Sequence, residues 1–270
     1  MLKLKGIRKT FHPGTVNEVR ALRGIDLHIE PGSFVIILGG NGSGKSTLLN
    51  AVAGSFYVDE GEIHLAGNNI TRWPEHRRAK HIGRVFQNPF SGTAPDMSIL
   101  ENFAIAAKRG RFRGLGWALG RNLRKELRDR VATLRMGLED RLENAIGSLS
   151  GGQRQALTLL MATWIKPDLL LLDEHTAALD PRSADQVIAL TQEVVEREKL
   201  TTMMVTHAMS QAVQLGDRII MLHKGTILHD YRSAAKQRLS IADLLERFND
   251  VRKRELLDST ASQLIQEQYV

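Results

Sequence analysis

Three short stretches of this chain combine residue types that handle phosphate. The first, Gly39-Gly40-Asn41-Gly42-Ser43-Gly44-Lys45-Ser46, has the spacing G-x-x-x-x-G-K-[ST] and follows an apolar run, Val35 to Leu38. Its glycines let successive backbone N–H groups turn inward around phosphate oxygens, and a helix starting there points its positive end at them. Lys45 suits the β- and γ-phosphates and the Ser46 hydroxyl suits Mg²⁺, with Thr47 next along as a further nucleotide contact. The second stretch, Leu169 to Glu174, is an apolar run ending in two carboxylates. Asp173 at such a strand end stands beside a metal, through water because Mg²⁺ keeps much of its hydration shell, and Glu174 can polarise an attacking water as general base. The third, Leu149-Ser150-Gly151-Gly152-Gln153, lies between the other two. There Ser150 and the Gly151 and Gly152 amides at a helix start can add donors to a γ-phosphate, or form a plain turn with a Ser N-cap.

The elements that must carry these residues are legible from pattern. Leu2 to Leu4 and Ile25 to Ile29 alternate as strands, Pro31-Gly32 turns, and Ser33 to Leu38 reads as a strand buried on both faces. A helix follows over Ser46 to Ala53, stopped by Gly54, and Gly61 to Gly67 resembles a hairpin arm. From Asn88 to Gly147 the spacing turns helical (Ile99, Phe103, Ala106; Leu123, Leu127, Val131, Leu134), interrupted by the basic, glycine-rich Arg109 to Gly116. Alternation then resumes: helix 151–164, strand 169–172, helix 181–199, strand 202–205, helix 209–215 and strands 218–222 and 226–229. Such order implies right-handed βαβ units on a largely parallel sheet. From Tyr231 onward the chain reads as helical, with Ile241, Leu244, Leu245 and Phe248 on one face.

Composition narrows the classes. At 270 residues and 42% apolar content the chain suits one α/β domain with an insertion. No apolar run approaches the roughly 18 to 20 residues of a membrane helix, and the N-terminus lacks a secretory h-region, so the cytoplasm is the expected compartment. The absence of cysteine excludes disulfides, thiolate metal sites and cysteine nucleophiles. A net charge of +7 favours an anionic partner: nucleotide, nucleic acid or lipid headgroups.

Taken together, the three stretches make the chain resemble the ATP-binding subunit of an ABC transporter from about Leu2 to Leu228. The resemblance implies a P-loop NTPase, RecA-like α/β core with an antiparallel β subdomain (1–87 and 148–230), an inserted α-helical subdomain (88–147) and a helical tail (231–270). It implies ATP and Mg²⁺ as cofactors, with Ser46, Gln87 and Asp173 serving the metal. It also implies that two subunits pair head to tail, the 149–153 segment of one closing over the ATP held by the other. By order, Gln87 in Val85-Phe86-Gln87-Asn88-Pro89 resembles the Q-loop glutamine, and His207 the switch histidine that contacts the γ-phosphate and orients water. Glu174, His207, Lys45 and Gln87 are then the catalytic set. Asp180 resembles the interface aspartate and equally suits an N-cap before Pro181, while Phe11 stands where the family stacks an aromatic on adenine. Departures are His175, where proline is usual, and Ala156 and Met161, where many relatives carry arginines. Beside the general base His175 either makes hydrolysis pH-sensitive or simply packs. Together these variants are similar to a bacterial subgroup that serves uptake of small solutes such as amino acids.

The insertion would meet a permease through Pro89 to Glu101. Beyond it Lys108, Arg109, Arg111, Arg113, Arg121, Arg124, Lys125, Arg128 and Arg130 gather positive charge, opposed within that span by Glu126 and Asp129, with Phe112 and Trp117 interleaved. A solvated surface, contact with anionic lipid or the permease, and nucleic-acid binding all fit this stretch. The resemblance points to a homodimer on the cytoplasmic face of the membrane, driving import through an integral permease with an extracytoplasmic solute-binding protein, and to no nucleic acid. An exporter or lipoprotein-release subunit, and a soluble ATPase acting on nucleic acid, are the alternatives.

Overall fold

The computed structural model describes residues 1–110 and 121–250. In chain order come the strands β1 (Leu2–Phe11), β2 (Val19–Ile29) and β3 (Phe34–Leu38), then the helix α1 (Lys45–Ala53). The hairpin of β4 (Glu60–Leu65) and β5 (Asn68–Asn69) leads to a single turn, α2 (Glu75–Arg78), and to β6 (Ile82–Val85). The helices α3 (Ile99–Ala107), α4 (Arg121–Ala132) and α5 (Gly151–Thr163) follow, with a 3-10 turn at Ile146–Ser148 before the last. The chain then alternates through β7 (Leu169–Asp173), α6 (Pro181–Glu198), β8 (Thr202–Val205), α7 (Met209–Gln214), β9 (Arg218–His223), β10 (Thr226–Arg232) and α8 (Ser233–Gln237).

Two sheets result, an antiparallel one ordered β2-β1-β4-β5 and a larger one ordered β10-β9-β3-β8-β7-β6. In the larger sheet only β10 runs antiparallel. Central β3 is buried along its whole length, as a strand covered on both faces must be, whereas β1 buries Leu2 and Leu4 and leaves Lys3 and Lys5 outside. The expected α/β core with its antiparallel sheet is therefore present. In the insertion, Ile99, Phe103, Leu127, Val131 and Leu134 share one apolar cluster with Ala156, Leu157, Leu160 and Trp164. The other side of α5, Leu159 and Ala162, belongs to the core under the parallel sheet. That helix is the wall common to both apolar clusters.

The structure departs from the sequence reading in four places. It adds α2 and β6, each four residues long and too short for periodicity to register. It starts the helical tail at Ser233 rather than Tyr231, because β10 keeps pairing with β9 as far as Arg232 opposite Arg218. Residues 241–250 are helical, but of the expected face Leu244 is buried and Phe248 partly so against the core, whereas Ile241 and Leu245 are exposed. The basic stretch also meets more acid than its own span holds: Arg124 pairs with Glu143 and Arg128 with Asp140, brought back by the turn after α4. Arg111, Phe112, Arg113 and Trp117 lie outside the described residues, as do 251–270 of the tail. No helix among the described residues is long and apolar enough to cross a membrane.

Candidate nucleotide-binding and hydrolytic site

The phosphate loop links β3 to α1; space requires a glycine at 39, and both space and φ require one at 44. A Cβ on Gly39 would sit 2.3 Å from Ser43 Oγ and 2.5 Å from the Leu222 carbonyl oxygen. Gly44 has φ +99°, open to glycine but strained for other residues, and a Cβ there would lie 2.6 Å from the Ala21 carbonyl. The loop is thus packed tightly from behind, where a side chain on Gly39 or Gly44 would not fit. Lys45 is buried and donates from Nζ to the carbonyls of Gly39 at 2.9 Å and Gly40 at 3.0 Å. Burial lowers its pKa, opposed by the nearby carboxylates of Glu174 and Asp173. A partly desolvated ammonium held over the loop is a strong ligand for phosphate.

Strand pairing assembles the acidic side. Asp173 lies opposite Val205 in the parallel ladder, which brings the residues after β7 level with Thr206 and His207 after β8. Ser46 Oγ donates to Asp173 Oδ1 at 3.3 Å, and Arg84 Nη2 stands 3.7 Å from Asp173 Oδ2. Burial raises the pKa of Asp173, with Arg84 the largest opposing influence. A hydroxyl and a carboxylate side by side are hard oxygen donors that fit Mg²⁺. Glu174, one residue on, adopts φ +43°, a left-handed conformation that costs a non-glycine residue about 1–2 kcal/mol. Its amide donates to the Val205 carbonyl at 2.9 Å, and its Oε2 meets His207 Nδ1 at 3.3 Å. The strained turn therefore holds this carboxylate against a histidine at the sheet's end.

Other residues singled out from sequence fall elsewhere. Gln87 is exposed, two residues beyond β6, whose Val85 pairs with Leu172. Phe11 packs edge-on against Phe56 at 5.3 Å between ring centroids, with Lys9 Nζ over it at 5.6 Å. Asp180 caps α6, its Oδ1 accepting from the Ser183 amide at 3.1 Å, and Pro181 opens that helix. Ser150 caps α5 in a reciprocal capping box with Gln153. A Cβ on Gly152 would meet Ser183 Cβ at 2.7 Å, so that glycine permits α5 and α6 to approach. Cavities of about 690 Å³ at the phosphate loop and about 240 Å³ at Ser150, Gly152 and Gln153 share no lining residue.

Two neighbours of the signature stretch, Leu149 to Gln153, escaped the sequence reading although they follow it directly. Arg154 donates to the carbonyls of Ile146, Gly147 and Leu149 and stacks 3.7 Å from the Phe90 ring centroid. Gln155 Nε2 donates to the Phe86 carbonyl at 3.1 Å. Both tie the start of α5 to the segment around Gln87. A polar pair on an otherwise apolar helix face was the available signal.

His175 is fully enclosed. Thr191 Oγ1 spends its proton on the Val187 carbonyl at 2.7 Å, so it accepts from His175 Nε2–H at 3.0 Å and leaves Nδ1 bare and buried. Burial lowers the His175 pKa to about 4 from its ordinary 6.5. The ring packs neutral at physiological pH and is no switch there. Unfolding exposes it to its ordinary pKa, so the unfolded chain binds this proton first as pH falls from 6.5 towards 4. The native state loses about 3 kcal/mol over that window through this group. Urea unfolding of wild type and His175→Leu at stepped pH should show wild type losing that much more between pH 7 and pH 4; parallel curves refute the assignment.

The site's relatives are many. The family model described as ABC transporter matches residues 22–177. The chain is 41% identical over 249 residues to a tyrosine transport ATP-binding protein of Clostridioides difficile, covering 92% of this chain and 98% of that one. It is 36% identical over 225 residues to a lipoprotein-releasing system ATP-binding protein of Caulobacter vibrioides, covering 82% and 92%. Among solved structures, a dimeric ATP-binding cassette in a post-hydrolysis state with ADP and Pi superposes with TM-score 0.73 at 30% identity, over 86% of this chain and 98% of that one.

Proposed function

This chain belongs to the ABC transporter family as an ATP-hydrolysing subunit, and from that premise we propose that two copies drive import of a small solute through a separate membrane permease. The observation that carries the pairing is the separation of the phosphate loop from Ser150 to Gln153 within one chain. Each is locally complete, so the donors at the start of α5 serve an ATP held by the other copy, and Asp180 reaches the same interface while capping its own helix.

Within each site the roles follow from the contacts. The cradle of Gly39 to Gly44 with Lys45, Ser46 and Thr47 holds the phosphates, and Phe11 supports the base. Ser46 and Asp173, with Gln87 from the adjoining loop, hold Mg²⁺, which when bound offsets charge on the β- and γ-phosphates. Glu174 takes the proton of the attacking water, and His207 orients that carboxylate and the γ-phosphate oxygens. Enzyme chemistry of this kind is positioning and electrostatics, which suits a site whose acids are fixed by strand register.

Coupling runs through the insertion. A groove of about 370 Å³ lined by Phe86, Gly92, Ile105, Ala106, Arg109 and Met161 lies between β6 and the insertion. It suits the permease better than Pro89 to Glu101 alone, because it opens onto α3 and α5 and includes the exposed Ile105. Arg109 and Arg130 are committed to carbonyls of Ala162, Ile165 and Trp164, and Arg124 and Arg128 pair with Glu143 and Asp140, so among the cations of this stretch whose side chains are described Lys108 and Lys125 remain for anionic lipid. Transport of a small solute is favoured by the likeness to the tyrosine transport protein over nearly all its length, and import is the direction proposed for this chain. The two ATPase copies then sit on the cytoplasmic face of the membrane, and the assembly includes an extracytoplasmic solute-binding protein. Affinity purification of the tagged chain from source membranes, with mass spectrometry of its partners, should recover a permease encoded with a solute-binding protein. Recovery of a lipoprotein-release permease instead would turn the reading to export, as the second relative suggests.

A further inference from the structure

Arg84 lies on β6, outside every motif considered above, yet its guanidinium is one of the closest groups to the proposed metal carboxylate. Its side chain and that of Asp173 are each only 14% exposed, with Nη2 3.7 Å from Oδ2. The same guanidinium is held from three other directions. Nη2 donates to Asn50 Oδ1, Nη1 donates to Ser55 Oγ at 3.2 Å, and the Phe86 ring lies 4.4 Å from its central carbon. Asn50 belongs to α1 and Ser55 follows it, so the helix that starts at Lys45 and Ser46 also aims the arginine.

Packing does not account for an arginine here. Its Nε–H is buried with no acceptor among the described residues, so the fold tolerates an unmade hydrogen bond to keep this charge in place. A methionine would fill the same space without that cost. What the arginine adds is a grip on one oxygen of a carboxylate whose other oxygen, Oδ1, receives the Ser46 hydroxyl. With that positive charge 3.7 Å from Oδ2 and the Ser46 hydroxyl on Oδ1, turning the carboxylate plane about its Cβ–Cγ bond weakens both contacts. The carboxylate is thereby held with Oδ1 beside the Ser46 hydroxyl.

We propose that Arg84 is a positioning residue for Asp173, fixing the orientation in which its carboxylate faces the metal held with Ser46. It touches neither nucleotide nor metal and acts through Asp173 alone. The inference rests on the reading of Asp173 as a metal-side carboxylate, and its test separates the two. Mg²⁺ is titrated into the full chain carrying a fluorescent ATP analogue, and the half-saturating Mg²⁺ for tight nucleotide binding is compared among variants. Arg84→Met should raise that concentration at least fivefold and lower kcat about tenfold, with metal-free analogue affinity unchanged within twofold. Arg84→Lys, which keeps a charge in reach of Asp173, should return the Mg²⁺ requirement to within twofold of wild type. Asn50→Leu, which removes one anchor of the guanidinium, should shift it in the same direction by a smaller factor and serves if the methionine variant does not fold.

An unshifted Mg²⁺ requirement in Arg84→Met, or a metal-free affinity that falls as far as kcat, would overturn the proposal, as would failure of lysine to restore. Asp173→Asn is the control in the same titration. If it moves the Mg²⁺ dependence while Arg84→Met does not, only the role of Arg84 falls. If Asp173→Asn leaves the dependence unmoved, the metal reading of Asp173 itself is wrong.

Discussion

Glu174→Gln should lower ATP turnover by about 10²- to 10⁴-fold while leaving ATP binding intact and accumulating an ATP-bound dimer. The amide keeps the size of the side chain and its hydrogen-bonding reach to His207 Nδ1, now 3.3 Å from Oε2. What it loses is the ability to take a proton from water. Because Glu174 sits at φ +43°, held there by its amide on the Val205 carbonyl, the substitution changes chemistry at a backbone already fixed by the sheet. Phosphate release in the steady state measures the first effect, and size-exclusion chromatography with ATP and Mg²⁺ measures the second. A variant that releases phosphate at the wild-type rate removes Glu174 from the role of general base. Slow turnover without a trapped dimer would instead argue against closure of one copy's signature stretch over the other's nucleotide.

Arg78→Met should destabilise the fold by about 3–5 kcal/mol, a loss large enough to unfold part of the population at physiological temperature. Arg78 is 1% exposed. Nη1 donates to the carbonyls of Ala51 and Val52 at 2.7 and 2.9 Å, Nη2 to that of Thr71 at 3.0 Å, and Nε to that of Trp73 at 3.0 Å. Ala51 and Val52 lie in the last turn of α1, where carbonyls have no partner in the helix and its negative end favours a cation. The guanidinium thus closes the helix that begins with Lys45 and ties it to the segment before α2. Gly54 completes the fit, since a Cβ there would come 2.8 Å from Arg78 Cδ. Methionine fills similar space but leaves four buried carbonyls without that donor. Urea unfolding followed by circular dichroism reads the loss directly, and a change below about 1 kcal/mol would mean that water replaces the guanidinium.

How far the site could be read from residues alone depends on how local each feature is. The phosphate loop, the acids after Leu172 and the capped start of α5 are each a contiguous stretch in which turn chemistry, helix start and apolar run agree. Thr202–Val205 is legible as a strand because a short, mostly apolar run stands between two helical segments, and the structure buries all of it. By contrast β6 has only Ile-Gly-Arg-Val to show, and it exists because Ile82 to Val85 pairs with Leu169 to Leu172. His175 illustrates the same limit for function. Beside the proposed base it suggested a pH-sensitive reaction, and only the enclosure of its ring against Thr191 makes it a neutral packing group.

By itself, then, the sequence pointed to a phosphate loop for a nucleotide and to a strand-end carboxylate for its hydrolysis, since those groups are set by a few bonded neighbours. Tertiary structure decided what those groups stand against. It chose the order β10-β9-β3-β8-β7-β6 that brings Glu174 to His207, placed Arg84 on Asp173 and Arg78 under α1, and returned Asp140 and Glu143 to the basic helix. Each of these pairs residues far apart in the chain, and a contact closed by loop and sheet leaves no periodic or local trace in either partner.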